Sequence, residues 1–177
     1  MMKRSGGMPG RSYCFEEKSD AVCNRRAMGG LMAEQRPMRG IIDEAINHKI
    51  WAIVGASENT EKFGNRIYRN LKQAGYTVYG VNPNAESVDG DPIYPTLKDL
   101  PEKPDVVDVV VPSWVGRRVA TEAAELGIPI FWLQPGAESE ELIAYATELG
   151  LQVIHHHCAM VEKKVWPGGV HVSAHEA

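Results

Sequence analysis

The segment that decides the fold is IWAIVGASENTEKFGNRIYRNLKQAGYTVYGV, residues 50–81. Ile50 to Val54 is a short apolar run that ends at Gly55, the pattern of a strand buried on both faces. Ile67, Leu71 and Ala74 recur at helical spacing and predict a helix over 65–74, closed by Gly75 as a C-terminal cap. YTVYGV, 76–81, is a second strand, stopped by Asn82-Pro83 because proline has no N–H to give a ladder. A strand, a helix and a strand with so short a connection form a parallel, right-handed βαβ unit.

The alternation continues outward from this unit. Ile41, Ile42, Ala45 and Ile46 predict a short amphipathic helix over 39–48. Residues 84–104 are polar and proline-bearing, with Ile93-Tyr94 as a short edge strand and 97–100 as a helical turn. VVDVVV, 106–111, is a strong strand. Helix 115–126 follows, closed by Gly127, then strand 130–133, helix 138–149 closed by Gly150, and a last strand beginning at Val153-Ile154. The whole predicts an α/β, Rossmann-like, doubly wound parallel sheet of about five strands with helices on both faces.

Composition sets the class. With 177 residues the chain has room for one domain over 39–165 and a C-terminal stretch, 166–177, without periodic signal and pinned by Trp166. Residues 1–38 are rich in Gly, Ser, Arg and Met and are expected to be a disordered leader, or an extension ahead of a start at Met28, Met32 or Met38. A net charge of -4 gives no footprint for nucleic acid. No apolar run is long enough to span a bilayer. The three cysteines, Cys14, Cys23 and Cys158, do not form a disulfide framework, so a reducing, cytoplasmic setting is expected. Nothing in the sequence sets the oligomeric state.

In such sheets ligands bind at the carboxyl ends of the strands, where strand order reverses. Gly55 follows a strand directly and permits a tight turn with close backbone approach. The amides of Gly64, Asn65 and Arg66 are expected at a helix N-terminus without helical partners, facing an anion, with Lys62, Arg66 and Arg69 adding positive charge. A side chain at Gly55 is expected to block a phosphate while leaving much of the fold intact. The dinucleotide fingerprint is absent, and the second strand ends in Asn82 rather than an acid for the NAD ribose, so an NAD(P)-dependent oxidoreductase is the weaker alternative.

Four segments in order, VGASENTEKFGNRIYRNLKQAGYTVYGVNPN, DVVDVVVPS, IFWLQPGAESEE and VIHHHCAMVEK, resemble the small stand-alone CoA-binding domain proteins and the nucleotide-binding part of succinyl-CoA ligase α chains. The resemblance covers about residues 40–165. It implies coenzyme A as ligand, with Gly55, Ala56 and Ser57 lining the pyrophosphate and Lys62, Phe63, Gly64 and Asn65 closing over it. It places Asn82 and Pro83 beside the ribose, Pro112 and Ser113 at the adenine, Gln134, Pro135 and Gly136 along the pantetheine, and Cys158 near the thiol. Relatives often carry a basic residue where this chain has Asn84, and an Asp-Arg pair where it has His156-His157. The phosphohistidine domain of the ligase has no counterpart. The expected function is therefore a CoA- or acyl-CoA-binding carrier, sensor or regulatory module without chemistry of its own.

Other chemistry is less well supplied. In a strand, His155 and His157 would share one face, about 6.6 Å apart, and a zinc site would need His171 or His175 as well. Cys158 could serve as a nucleophile or form a mixed disulfide, but a half-buried cysteine behaves mostly as a small hydrophobe. Asp108 lies in a buried strand and needs a partner or the strand edge. Trp114 and Trp132 are candidates to stack on adenine, and Arg117 and Arg118 to meet the 3′-phosphate.

Overall fold

The computed structural model describes residues 37–174. The expected leader lies outside the described residues except for Pro37 and Met38, as does His175. In chain order the elements are α1 (Met38–Ala45), β1 (Ile50–Val54), α2 (Phe63–Gln73), β2 (Thr77–Val81), β3 (Ser87–Val88), β4 (Asp91–Tyr94), a 3₁₀ turn (Leu97–Asp99), β5 (Val106–Val109), α3 (Ser113–Glu125), β6 (Ile130–Leu133), α4 (Glu140–Glu148), β7 (Gln152–Ile154) and α5 (Ala159–Glu162).

The strands form one sheet in the order β3-β4-β2-β1-β5-β6-β7. All neighbours are parallel except β3 and β4. From β1 the chain moves to one side through β2 and β4, then returns to place β5 on the other side. The order therefore reverses between β1 and β5, and the crevice above that point is the natural ligand position.

Among the described residues the sheet has seven strands, not about five. The expected short strand at Ile93-Tyr94 is the end of β4, and β4 forms a hairpin with β3 turned by Asp89-Gly90, both at positive φ (51° and 85°), the conformation a two-residue type I′ loop requires. Ser87 and Asp91-Pro92 carry no apolar alternation, so the turn dipeptide was the only cue to β3. Pro92 stands opposite Ser87 of the edge strand β3 and precedes Ile93, where the pairing of β4 with β2 begins. The strong apolar run at 106–111 leaves the ladder at Val109, and Val110 and Val111 instead close against Gly55.

Two cores sandwich the sheet. Trp51, Ile53, Trp132 and Ile154 meet α1, α2 and α5 on one face. Ala52, Val107, Phe131 and Leu133 meet α3 and α4 on the other. The residues after α5 lie along the C-terminal end of α2. Trp166 N–H donates to the Ala74 carbonyl at 2.9 Å and Val170 N–H to that of Gln73 at 2.7 Å. The Lys163 ammonium, almost fully buried, donates to the carbonyls of Met160 and Val172. The Trp166 ring stands edge-on to Tyr76.

Candidate functional site

The exit of β1 is made of backbone. Gly55 has φ +101°, a region that L side chains rarely adopt, and a Cβ there would lie 2.7 Å from Val110 Cγ2 and 2.9 Å from Val111 Cγ1. Gly64, in the first turn of α2, is tighter still: a Cβ would lie 2.1 Å from the Gly55 carbonyl oxygen. The N-terminus of α2 is thus seated directly on the turn that leaves β1. A side chain at Gly55 consequently disturbs the fold as well as the crevice, because the space it would take is already filled by Val110 and Val111.

The free amides differ from those the sequence suggested. Lys62 caps α2, and its carbonyl accepts from both Asn65 N–H and Arg66 N–H. Among the described residues, the amides of Ala56 and Ser57 at the turn, and of Phe63 and Gly64 in the first helical turn, have no acceptor. These groups, with the positive end of the helix dipole behind them, are of the kind that can receive an anion. Two of the three expected cations are engaged elsewhere. Arg69 pairs with Asp89 at 3.0 Å, and the Arg66 guanidinium donates to the Ala174 carbonyl at 2.9 Å. Lys62 remains exposed at the cap.

Two asparagines brace this corner. Asn65, 1 % exposed, donates through Nδ2 to the Ser57 carbonyl at 2.7 Å. Asn82 Nδ2 donates to the Ala56 carbonyl at 2.7 Å, while its Oδ1 accepts from Asn84 N–H at 2.9 Å. Their side chains tie the β1 turn to α2 and to the end of β2. Pro83, Pro112, Ser113, Pro135, Gly136 and Cys158 all follow strand ends on the same rim. Gln134 also stands there, but its side chain turns inward, where Nε2 donates to both Asp108 oxygens at 2.9 and 3.1 Å.

Asp108 is the buried acid of β5, with no exposure, and its partner is Gln134 rather than the strand edge. Burial pushes its carboxyl up to about 7, opposed by the Gln134 hydrogen bond and the Val109 amide. When protonated it becomes a donor, and Gln134 Oε1, buried without a partner, is the acceptor that a turn of the amide presents.

The histidine run does not continue the strand. β7 ends at Ile154 and His156 has φ 60°, so His155 and His157 do not alternate as strand residues. His156 Nδ1 lies 2.7 Å from Glu138, and His157 Nδ1 lies 3.1 Å from Glu162. Among the described residues no group of three or more His, Cys, Asp or Glu is placed to hold a metal ion. The Cys158 thiol is pushed up chiefly by burial, which keeps it protonated and poorly nucleophilic.

Beside the β1 turn, on the α3 face of the sheet, lies a cleft of about 280 Å³. Val54, Val81 and Pro83 form one wall, and Trp114, Val115 and Arg118 of α3 the other. The two candidate tryptophans separate cleanly. Trp132 is fully buried and donates Nε1–H to the His157 carbonyl, whereas Trp114 is 79 % exposed and stands at the cleft. A mostly apolar cleft with one exposed indole, next to unpaired amides, suits a purine nucleotide.

Residues 49–164 match the model of the CoA binding domain family. The chain belongs to that family. YneT of Bacillus subtilis, an uncharacterized protein, is 30 % identical over 132 residues, which are 74 % of this chain and 98 % of YneT. The α subunit of an ADP-forming acetate–CoA ligase II from Pyrococcus furiosus is 29 % identical over 67 % of this chain, and the aligned part is 28 % of the ligase subunit. Among solved structures, a conserved hypothetical protein from Pyrococcus furiosus is 42 % identical, with a TM-score of 0.62, over 65 % of this chain and 99 % of that one. The family domain thus occurs both alone and as a fraction of larger ligase chains. No described helix is long and apolar enough to cross a membrane.

Proposed function

We propose that the protein binds coenzyme A or an acyl-CoA in the crevice between β1 and β5, as a carrier, sensor or regulatory module of the cytoplasm without a reaction of its own. The observation that carries this reading is the set of unpaired amides at Ala56, Ser57, Phe63 and Gly64 at the point where strand order reverses. The pyrophosphate lies on Gly55, Ala56 and Ser57 under the N-terminus of α2, with Lys62 contributing charge. The adenosine takes the cleft by Pro83, Pro112, Ser113 and Trp114. The pantetheine passes Pro135 and Gly136 toward Cys158, with Gln134 contributing its place in the backbone rather than its side chain.

The family supports the ligand. Two groups that could carry chemistry support a reading without a reaction of its own: the carboxyl of Asp108 is sealed in the core, and burial pushes the Cys158 thiol up, toward its protonated form. Calorimetric titration of the full chain with CoA, acetyl-CoA and NADH tests the reading. One CoA or acetyl-CoA per chain, with affinity falling as salt rises, is the expected result. Failure of both to bind, or tighter binding of NADH, overturns it. Release of free thiol from acetyl-CoA above the buffer rate overturns the non-catalytic part alone.

A further inference from the structure

Resting on that reading, we infer that Arg118 recognises the 3′-phosphate of the ligand and so selects CoA over nucleotides that lack it. The cation expected after Asn82-Pro83 is absent, because Asn84 is neutral and its N–H is held by the Asn82 side chain at 2.9 Å. A dianionic phosphate on the ribose needs its counter-charge from elsewhere on the cleft wall.

The basic side chains around the cleft are mostly committed. Arg117 lies 3.8 Å over the Tyr145 ring and pairs with Glu141 at 3.1 Å. Lys98 pairs with Glu125 at 2.9 Å. Further off, Arg69 pairs with Asp89 and Lys72 with Asp91. Arg118 is different. It lines the cleft, also lines the wider depression of about 570 Å³ on the outer side of α3, and has no ion-pair or hydrogen-bond partner among the described residues. The one carboxylate on the same wall, Glu122, accepts the Lys98 N–H at 3.1 Å.

The geometry fits a single ligand. Val54 joins the cleft to the pyrophosphate turn, since the next residue is Gly55. Trp114 and Arg118 are four residues apart on α3 and therefore neighbours on one helix face. An indole to cover the purine and a guanidinium one turn further on present stacking and a bidentate phosphate fork from the same helix. Lys62, at the α2 cap, serves the other phosphates and does not line this cleft.

The test compares CoA with dephospho-CoA on the full chain, in the unaltered protein and in Arg118→Ala and Arg118→Lys. The unaltered protein is expected to prefer CoA by about ten-fold or more, the strength of a charge-assisted phosphate contact. Arg118→Ala should bring CoA down to the level of dephospho-CoA and change dephospho-CoA by less than about two-fold, with Arg118→Lys between. Arg118 is exposed, so thermal melting should confirm that each variant stays folded. Equal loss for both nucleotides, or a preference that survives the alanine, overturns the assignment while leaving the CoA reading intact. Failure of both nucleotides to bind the unaltered protein overturns the CoA reading and this assignment with it.

Discussion

The two βα units that flank the crevice, β1–α2 and β5–α3, use opposite means. In the first, helix and strand are pressed together until no side chain fits between Gly64 and the Gly55 carbonyl, and what faces the crevice is backbone. In the second, Val109 ends the strand, Pro112 starts the helix, and a cleft stays open between α3 and the ends of β1 and β2. What faces that space is side chains: Trp114 and Arg118. On the proposed function, the difference matches two jobs. A phosphate is the same in every nucleotide, and fixed amides suit it. The base and the ribose substituent distinguish one nucleotide from another, and a stacking ring and a charged side chain suit those differences.

The largest expected effect breaks the first unit. Gly64→Ala sets a Cβ against the Gly55 carbonyl, and backbone cannot yield as a side-chain tip can. Urea unfolding should show a loss of about 4 kcal/mol or more. Gly55→Ala meets only the methyl groups of Val110 and Val111 but keeps the unfavourable φ, so a loss of about 2 kcal/mol is expected. Should Gly64→Ala unfold no more easily than Gly55→Ala, the helix is not seated on the turn as described.

Asp108 probes what β5 holds beneath the second unit. Its carboxyl is raised from 3.8 to about 7 in the folded chain. Between those values the folded chain keeps a proton that the unfolded chain releases. Stability therefore falls as pH rises from about 4 to about 7, by roughly 4 kcal/mol in all, and levels off above that. Asp108→Asn cannot ionise and should flatten this slope, leaving the variant relatively more stable at pH 8 than at pH 4 when each is compared with the parent. A slope equal in both proteins assigns the titration to another group.

The smallest effect belongs to the open side. Trp114→Ala should weaken CoA by about ten-fold, the scale of one base–aromatic stack, while unfolding within about 0.5 kcal/mol of the parent. Loss of stability without loss of affinity would make Trp114 part of the fold and leave the contrast between the two units without its second half.

Legibility in the sequence divides along similar lines. The β1–α2–β2 unit was visible because apolar runs and glycine punctuation are local signals. Of the Ser87–Tyr94 hairpin only Ile93-Tyr94 was, as a short strand; β3 was missed because it is two residues long, half polar and at the sheet edge. The carboxyl rim was legible from the strand ends, but the strand order that puts the reversal between β1 and β5 came only from the fold. The free amides were not: the sequence pointed to Gly64, Asn65 and Arg66, but Lys62 caps the helix and its carbonyl takes two of these. Arg66 and Arg69 looked like phosphate ligands until Ala174 and Asp89, distant or on another turn of chain, proved to hold them.

By itself the sequence determined the alternation of strands and helices, the family, and the rim where the strands end, because periodicity, turn residues and segment order are properties of the chain written in one dimension. Which polar groups on that rim remain free was decided only by tertiary structure. Asn65, Asn82 and Gln134 became braces, and Arg118 was left without a partner, through neighbours brought together by folding. A hydrogen bond depends on where two atoms lie in space, and spacing along the chain does not carry that.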